Sequence, residues 1–368
     1  MRKIIMIALL SIVTTFSQVQ ALERPEIEFK IFQFPRNMIP SIDGKTNDWD
    51  IVGEDYTYRT DQLDGTTGGF PDGKVDTNDI DVKVRVGWVK DLNRLYFLYE
   101  AYDDYWDFGI FDEDAVQKGR GYQNDIFEIS IDADISGGPF IQNPQIEDRV
   151  EGYMRFAGVH AQNYHIFTPP VNNQWCRLWG CQPWVCRFPW ANYEYDYDFK
   201  PGESGNLVLE FWITPFDYAS YDGPGHSVIS KLEENTIIGL SWAILDFDHG
   251  EKNGRGNSNL AHERSSVSEA SALCAFRLMQ LEKRFEPAIE ARWSFKVIDM
   301  DRRLVYFKDE SVGTITKWLW HFGDGETSTE QYPIHQYKNP GIRYTVWLDV
   351  EGPDGKSRHS KHCDVIIR

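Results

Sequence analysis

The sequence predicts an all-β protein built as two consecutive β-sandwiches, and three stretches carry that reading. "DVKVRVGWV" and "RLYFLYEAYDD" alternate apolar and polar residues with period two on either side of "KDLN", the pattern of a hairpin with one buried face. "NDIFEISIDAD" and "LVLEFWITPFDY" repeat that texture further along. Toward the C-terminus, "LVYFKDESVGTITKWLWHFGDGETSTEQYPIHQYKNPGIRYTVWLDVEGPDG" alternates over short runs and breaks at Gly, Asp and Pro, as strands of an antiparallel sandwich do.

The chain opens with "MRKIIMIALLSIVTTFSQVQA", in which Arg2 and Lys3 precede an apolar run and Val19 and Ala21 are the small residues before a cut. Residues 1–21 therefore predict a secretory signal and an exported protein, periplasmic or secreted. The apolar run is shorter than the ~18 residues a membrane span needs, so no membrane insertion is expected. The rest of the chain is long enough for two cores, placed at 22–290 and 291–368 with no Gly/Ser or Pro linker between them. A formal charge of −19 repels nucleic acid and anionic membrane, and both are set aside as partners.

"NNQWCRLWGCQPWVCRFPW", residues 172–190, gathers three of the five cysteines and four of the thirteen tryptophans. The C-x4-C-x4-C spacing differs from that of zinc knuckles, and an oxidising compartment favours a disulfide, with free buried thiols as the alternative. Trp175, Trp179, Trp184 and Trp190 either offer ring faces to a sugar or fill the core; Arg177 and Arg187, interleaved with them, would take a carboxylate or sulfate.

Other chemistry-bearing residues fall into groups. Asp103, Asp104, Asp107, Asp125 and Glu128 sit near strand ends, where hard oxygen ligands suit calcium and where Asp also serves ordinary turns. Asp104, Asp125 and Glu128 are the candidate ligands of a structural Ca²⁺; no other cofactor is expected. "DTNDID", residues 76–81, lacks the closing glycine and glutamate of a calcium loop and reads as a turn. "YMRFAGVHAQNYHIFTPP" holds Arg155, His160, Tyr164 and His165, while "DHGEKNGRGNSNLAHERS" adds His249, Arg255 and further cations. These side chains are surface polar groups or the parts of an elimination site. In the second case an Arg fork pairs the carboxylate of a uronic acid and stabilises the charge that develops when the neighbouring proton is removed. His160, Tyr164 and His165 are then the candidate acid and base; Arg155, Trp175, Arg177, Trp179, Arg187, His249 and Arg255 are the candidate substrate contacts. Glu151, Glu194 and Glu210 leave a glycosidase carboxylate pair open.

Two families are resembled by these motifs. "WHFGDGETS", "PIHQY" and "PGIRYTVWLDV" resemble polycystic-kidney-disease (PKD) domains, which implies a small immunoglobulin-like sandwich over 291–368 with Trp320, Phe322, Asp324 and Gly325 as fold residues and structural roles for His321 and His335. "SIDGKTNDWD", "RLYFLYEAYDD", "NDIFEISIDAD", "LEFWITPF" and "IIGLSWAILDFD" occur in the order seen in family 9 carbohydrate-binding modules, which implies a jelly-roll-like sandwich, here with an inserted loop region at 134–206. Signal, diverged module and terminal PKD domain together resemble the PKD-containing oligosaccharide dehydratases of ulvan utilisation loci. That resemblance implies loss of water from the non-reducing-end uronic acid of a sulfated oligosaccharide, giving a 4,5-unsaturated uronate; the two modules alone imply noncatalytic glycan binding.

Overall fold

The computed structural model describes residues 22–108, 124–171, 173–247, 257–340 and 343–366. It divides into two units, the first ending at Leu281 and the second beginning at Glu282. The boundary expected at 290/291 moves earlier because Ile289 and Ala291 are both buried in the second core.

The first unit contains β1 (Phe29–Gln33), β2 (Thr57–Arg59), β3 (Ile80–Trp88), β4 (Leu95–Asp103), β5 (Ile126–Asp132), β6 (Gln162–Val171) and β7 (Gln174–Leu178). It continues with β8 (Ala191–Tyr197), β9 (Gly205–Ile213), β10 (Phe216–Tyr218), β11 (Val228–Ile229), β12 (Ile237–Leu245), β13 (Asn257–Asn259) and β14 (Cys274–Leu278). One hydrogen-bonded path runs β7-β6-β5-β12-β14-β1-β3-β4-β9-β8. β1 joins the two halves of that path by pairing in parallel with β14 through Phe29 to Ile31 and with β3 through Phe32 and Gln33. Aromatic rings meet between the halves: Tyr99 of β4 stacks on Phe127 of β5 at 4.3 Å, and Trp175 of β7 lies 5.7 Å from Phe211 of β9. A sandwich results, with β7 and β8 as its outer edges.

The hairpin of β3 and β4 turns through Asp91 and Asn93, both at positive φ, a conformation these two residue types tolerate. "SIDGKTNDWD" is pinned to β9 by one buried carboxylate: Glu210 accepts from Trp49 Nε1–H at 2.8 Å and from the N–H groups of Asp43 and Gly44 at 2.9 and 3.2 Å. The same role removes Glu210 from any glycosidase pair. Region 134–206, expected as an inserted loop, instead supplies the three strands β6, β7 and β8. "DTNDID" is a turn held by Asp76, as expected.

The second unit pairs β15 (Trp293–Asp299), β16 (Leu304–Asp309) and β19 (Ile334–Gln336) in one sheet. Its other sheet orders β18 (Thr327–Ser328), β17 (Lys317–His321), β20 (Arg343–Gly352) and β21 (Gly355–Ile366). Trp293, Phe307, Trp320, Phe322, Tyr337 and Leu348 fill the space between them. Gly323 is required at the turn: it sits at φ +84°, and a Cβ there would stand 2.4 Å from the Thr345 carbonyl oxygen.

Candidate functional site

The strand β6 decides which of its side chains can meet a ligand. Successive residues of a strand face opposite sides, and Tyr164, aligned with Ile129 and Leu178, points into the core with no measurable exposure. Burial pushes its phenol well above the ordinary range, so it neither gives nor takes a proton in solution-accessible chemistry. Tyr164 is therefore corrected from candidate acid or base to core residue.

His165 faces the other way. Its Nε2 is 2.9 Å from Glu128 Oε1, and it also receives the Trp179 indole N–H. Glu128 Oε1 in turn accepts from Asn163 Nδ2 at 2.7 Å. In register, Arg177 of β7 lies opposite His165, and His165 opposite Glu128 of β5, so the three form one cross-strand row on the same face. A pocket of about 290 Å³ opens over Glu128 and His165, lined also by Ile141, Trp179, Val267 and Ser268, whereas Arg177 lines a separate cleft. Glu128, expected as a calcium ligand, is thus the partner of a histidine.

Beside it, between edges β7 and β8, runs a cleft of about 680 Å³ whose lining includes Gln174, Arg177, Arg187, Phe188, Asn192 and Tyr193. Arg177 and Arg187 are exposed and make no ion pair among the described residues, which is notable in so acidic a chain. Phe188 is 79% exposed. An unpaired guanidinium beside an exposed ring is suited to a carboxylate or sulfate carried on an apolar sugar face.

The other expected contacts scatter. Trp175 is in the core, stacked on Tyr193 at 4.8 Å, with its indole N–H donated to the Cys186 carbonyl at 2.8 Å. Trp184 and Trp190 pack on Phe216. Arg155 is paired with Glu151 at 2.6 Å, leaving neither of them free for the site, and its guanidinium lies over the Tyr221 ring. His160 is exposed on the segment before β6, 5.6 Å from Tyr218. His249 and Arg255 lie outside the described residues. None of the four described cysteines is disulfide-bonded, although Cys176 and Cys186 bring their sulfurs to 3.3 Å.

A second cluster forms where β4 and β12 end and β5 begins. Asp103, Asp125 and Asp246 are buried with carboxylate oxygens all within 4.8 Å of one another. Burial first, then the charge of Asp103 and that of Asp246, push the Asp125 carboxyl well above its usual range, while N–H groups of Phe247 and Asp107 pull the other way. Three hard oxygen donors crowded in this manner fit a divalent cation such as Ca²⁺. Asp104 is exposed beside this group and outside it. Asp246 was not among the residues singled out from sequence; the acidic "DFD" closing β12 was its signal.

A solved family 9 carbohydrate-binding module from Caldicellulosiruptor kristjanssonii, in complex with cellotriose, is 15% identical to this chain; the likeness covers 70% of this chain and 96% of that one, with a TM-score of 0.43. The PKD1 domain of the Vibrio cholerae metalloprotease PrtV is 32% identical over 20% of this chain and 91% of its own, with a TM-score of 0.18. Collagenase ColQ1 of Bacillus cereus (strain Q1) is 48% identical over 54 residues, 15% of this chain and 5% of that protein. A microbial collagenase of Vibrio alginolyticus is 44% identical over 54 residues, 15% of this chain and 6% of its own length. The chain thus matches about a twentieth of the length of these curated relatives. Residues 301–367 match the PKD domain family.

Proposed function

We propose that this is an exported carbohydrate-active protein that takes a uronate-ended, ulvan-type sulfated oligosaccharide and removes water from its terminal uronic acid. One observation carries the reading: Arg177, His165 and Glu128 stand in a single cross-strand row, with the Trp179 indole against His165, putting a cation, a base and its partner carboxylate side by side. Arg177 pairs the uronate carboxylate and stabilises the charge that develops on it. His165 takes the proton from carbon 5, and the Glu128 carboxylate, 2.9 Å from its Nε2, stabilises the imidazolium that forms. The electron pair of that C–H bond becomes the new double bond, the bond from carbon 4 to its hydroxyl oxygen breaks, and the imidazolium returns the proton so that water leaves. Arg187 and Phe188 hold the adjoining sulfated sugar in the cleft. Asp103, Asp125 and Asp246 would hold a Ca²⁺ that ties three strand ends together, a structural role.

A second reading, glycan binding without turnover, is favoured by the loss of Tyr164 to the core and of His160 to a separate surface. Incubation with saturated uronate-ended oligosaccharides separates the two. Turnover gives the ultraviolet absorbance of a conjugated unsaturated uronate; calorimetric binding with no absorbance leaves the noncatalytic reading, and neither signal sinks both. Arg177→Ala is expected to weaken binding about 10- to 100-fold, the worth of a charge-assisted hydrogen bond.

A further inference from the structure

We propose that Cys176 and Cys186 become a disulfide in the exported protein, and that this bond holds the segment carrying Trp179, Arg187 and Phe188 in its working position. The two sulfurs lie 3.3 Å apart across ten positions of sequence, and bonding requires an approach to about 2.0 Å, a shift of roughly an ångström. Both backbones are already fixed. Cys176 is aligned with Ile166 in the pairing of β6 with β7, and Cys186 closes the short Pro183–Cys186 turn with its carbonyl held by the Trp175 indole.

The other described cysteines are placed differently: Cys274 is buried in β14 with its sulfur toward the Leu260 carbonyl, and Cys181 is half-buried on the loop between the pair. Formation breaks two S–H bonds and makes one S–S bond. Two electrons and two protons pass to a disulfide donor, which is released as its dithiol. Burial, then the neighbouring Cys186, pushes the Cys176 thiol well up, so the thiolate that must attack is scarce once the core has closed. The bond is therefore made on the incompletely folded chain as it enters an oxidising compartment.

The consequence for binding rests on the function proposed above; the bond itself does not. Protein exported to an oxidising compartment should be denatured, alkylated with and without prior reduction, and peptide-mapped. The expected result is a linked peptide holding Cys176 and Cys186, about 2 Da lighter than its reduced parts, and retained in Cys181→Ala. Reduction is expected to lower the melting temperature by about 5–10 °C and to weaken oligosaccharide binding, effects absent from Cys176→Ser/Cys186→Ser. Free alkylation of both thiols without reductant, or linkage of either one to Cys181, overturns the proposal. A linked peptide with unchanged binding after reduction keeps the bond and removes its link to the site.

Discussion

Among the described residues each unit holds a buried histidine against a carboxylate, and the two pairs serve different ends. His335 Nε2 is 2.7 Å from Asp324 Oδ2, and His165 Nε2 is 2.9 Å from Glu128 Oε1; both rings are under a tenth exposed. What surrounds them differs. The His335 ring lies flat on Phe322 at 4.0 Å and edge-on to Tyr337, whose hydroxyl donates to the Phe322 carbonyl. That assembly is closed on itself and braces the turn after β17. His165 has an indole from the next strand's loop on one side, a pocket above it and an exposed unpaired arginine in register beside it. A histidine and a carboxylate at contact distance are therefore no site by themselves; access and a neighbouring charge make the difference.

The largest effect should come from separating the pairs by mutation. His165→Ala is expected to lower turnover of uronate-ended oligosaccharides about 10²- to 10⁴-fold, and Glu128→Gln to lower it by less, with the far-ultraviolet circular dichroism of both retained. Equal loss from His335→Ala would show that global stability, and not local chemistry, had been measured. His335→Ala should instead leave turnover intact and destabilise the second unit by about 3–5 kcal/mol in denaturant unfolding, because Asp324 loses its buried partner and Phe322 loses a stacked ring.

The same contrast explains what could be read from the sequence. The second unit was legible almost throughout, since its turn glycines, its alternating core residues and its histidines all serve one purpose. In the first unit, β3, β4, β5, β9 and β12 were legible for the same reason: each buries apolar side chains against the opposite layer. β6 was not. Nearly all of its residues are buried on both faces, because Asn163 and His165 lie under Ile141, Trp179 and Val267, so the polar side chains that mark a solvent face are themselves covered. Without that strand, Tyr164 and His165 read as neighbours in one site, whereas the pleat sends them to opposite sides. The triad of aspartates was half legible. Asp103 and Asp125 stand at strand ends, but Asp246 joins them only through the pairing of β12 with β5, a contact that no local pattern encodes.

The smallest expected effect is on pH dependence, and it runs in opposite directions in the two units. In the second, burial raises the Asp324 carboxyl, but the bond from His335 and the N–H of Glu326 more than offset it, leaving it below its ordinary value. Asp309 behaves alike, with burial outweighed by Ser311, Gln331 and Trp318. A carboxyl depressed in the folded state adds stability that is present above its unfolded value, about 3.9, and is lost as pH falls through the folded one. In the first unit Asp132 is pushed up to about 6 by burial and then by Asp134, so the folded state holds that proton more tightly than the unfolded chain does. Its contribution is present below about 4 and is lost as pH rises toward 6. Calorimetry across pH 3–7 should therefore show the second unit flat down to about pH 4 and falling below it, while the first gains stability as pH drops from 7 to 5. Asp132→Asn should reduce that gain and leave the second unit's profile unchanged. A first unit whose gain is undiminished in Asp132→Asn would place the responsible proton elsewhere, on buried Asp125 or Glu210, whose carboxyls burial also holds above the usual value.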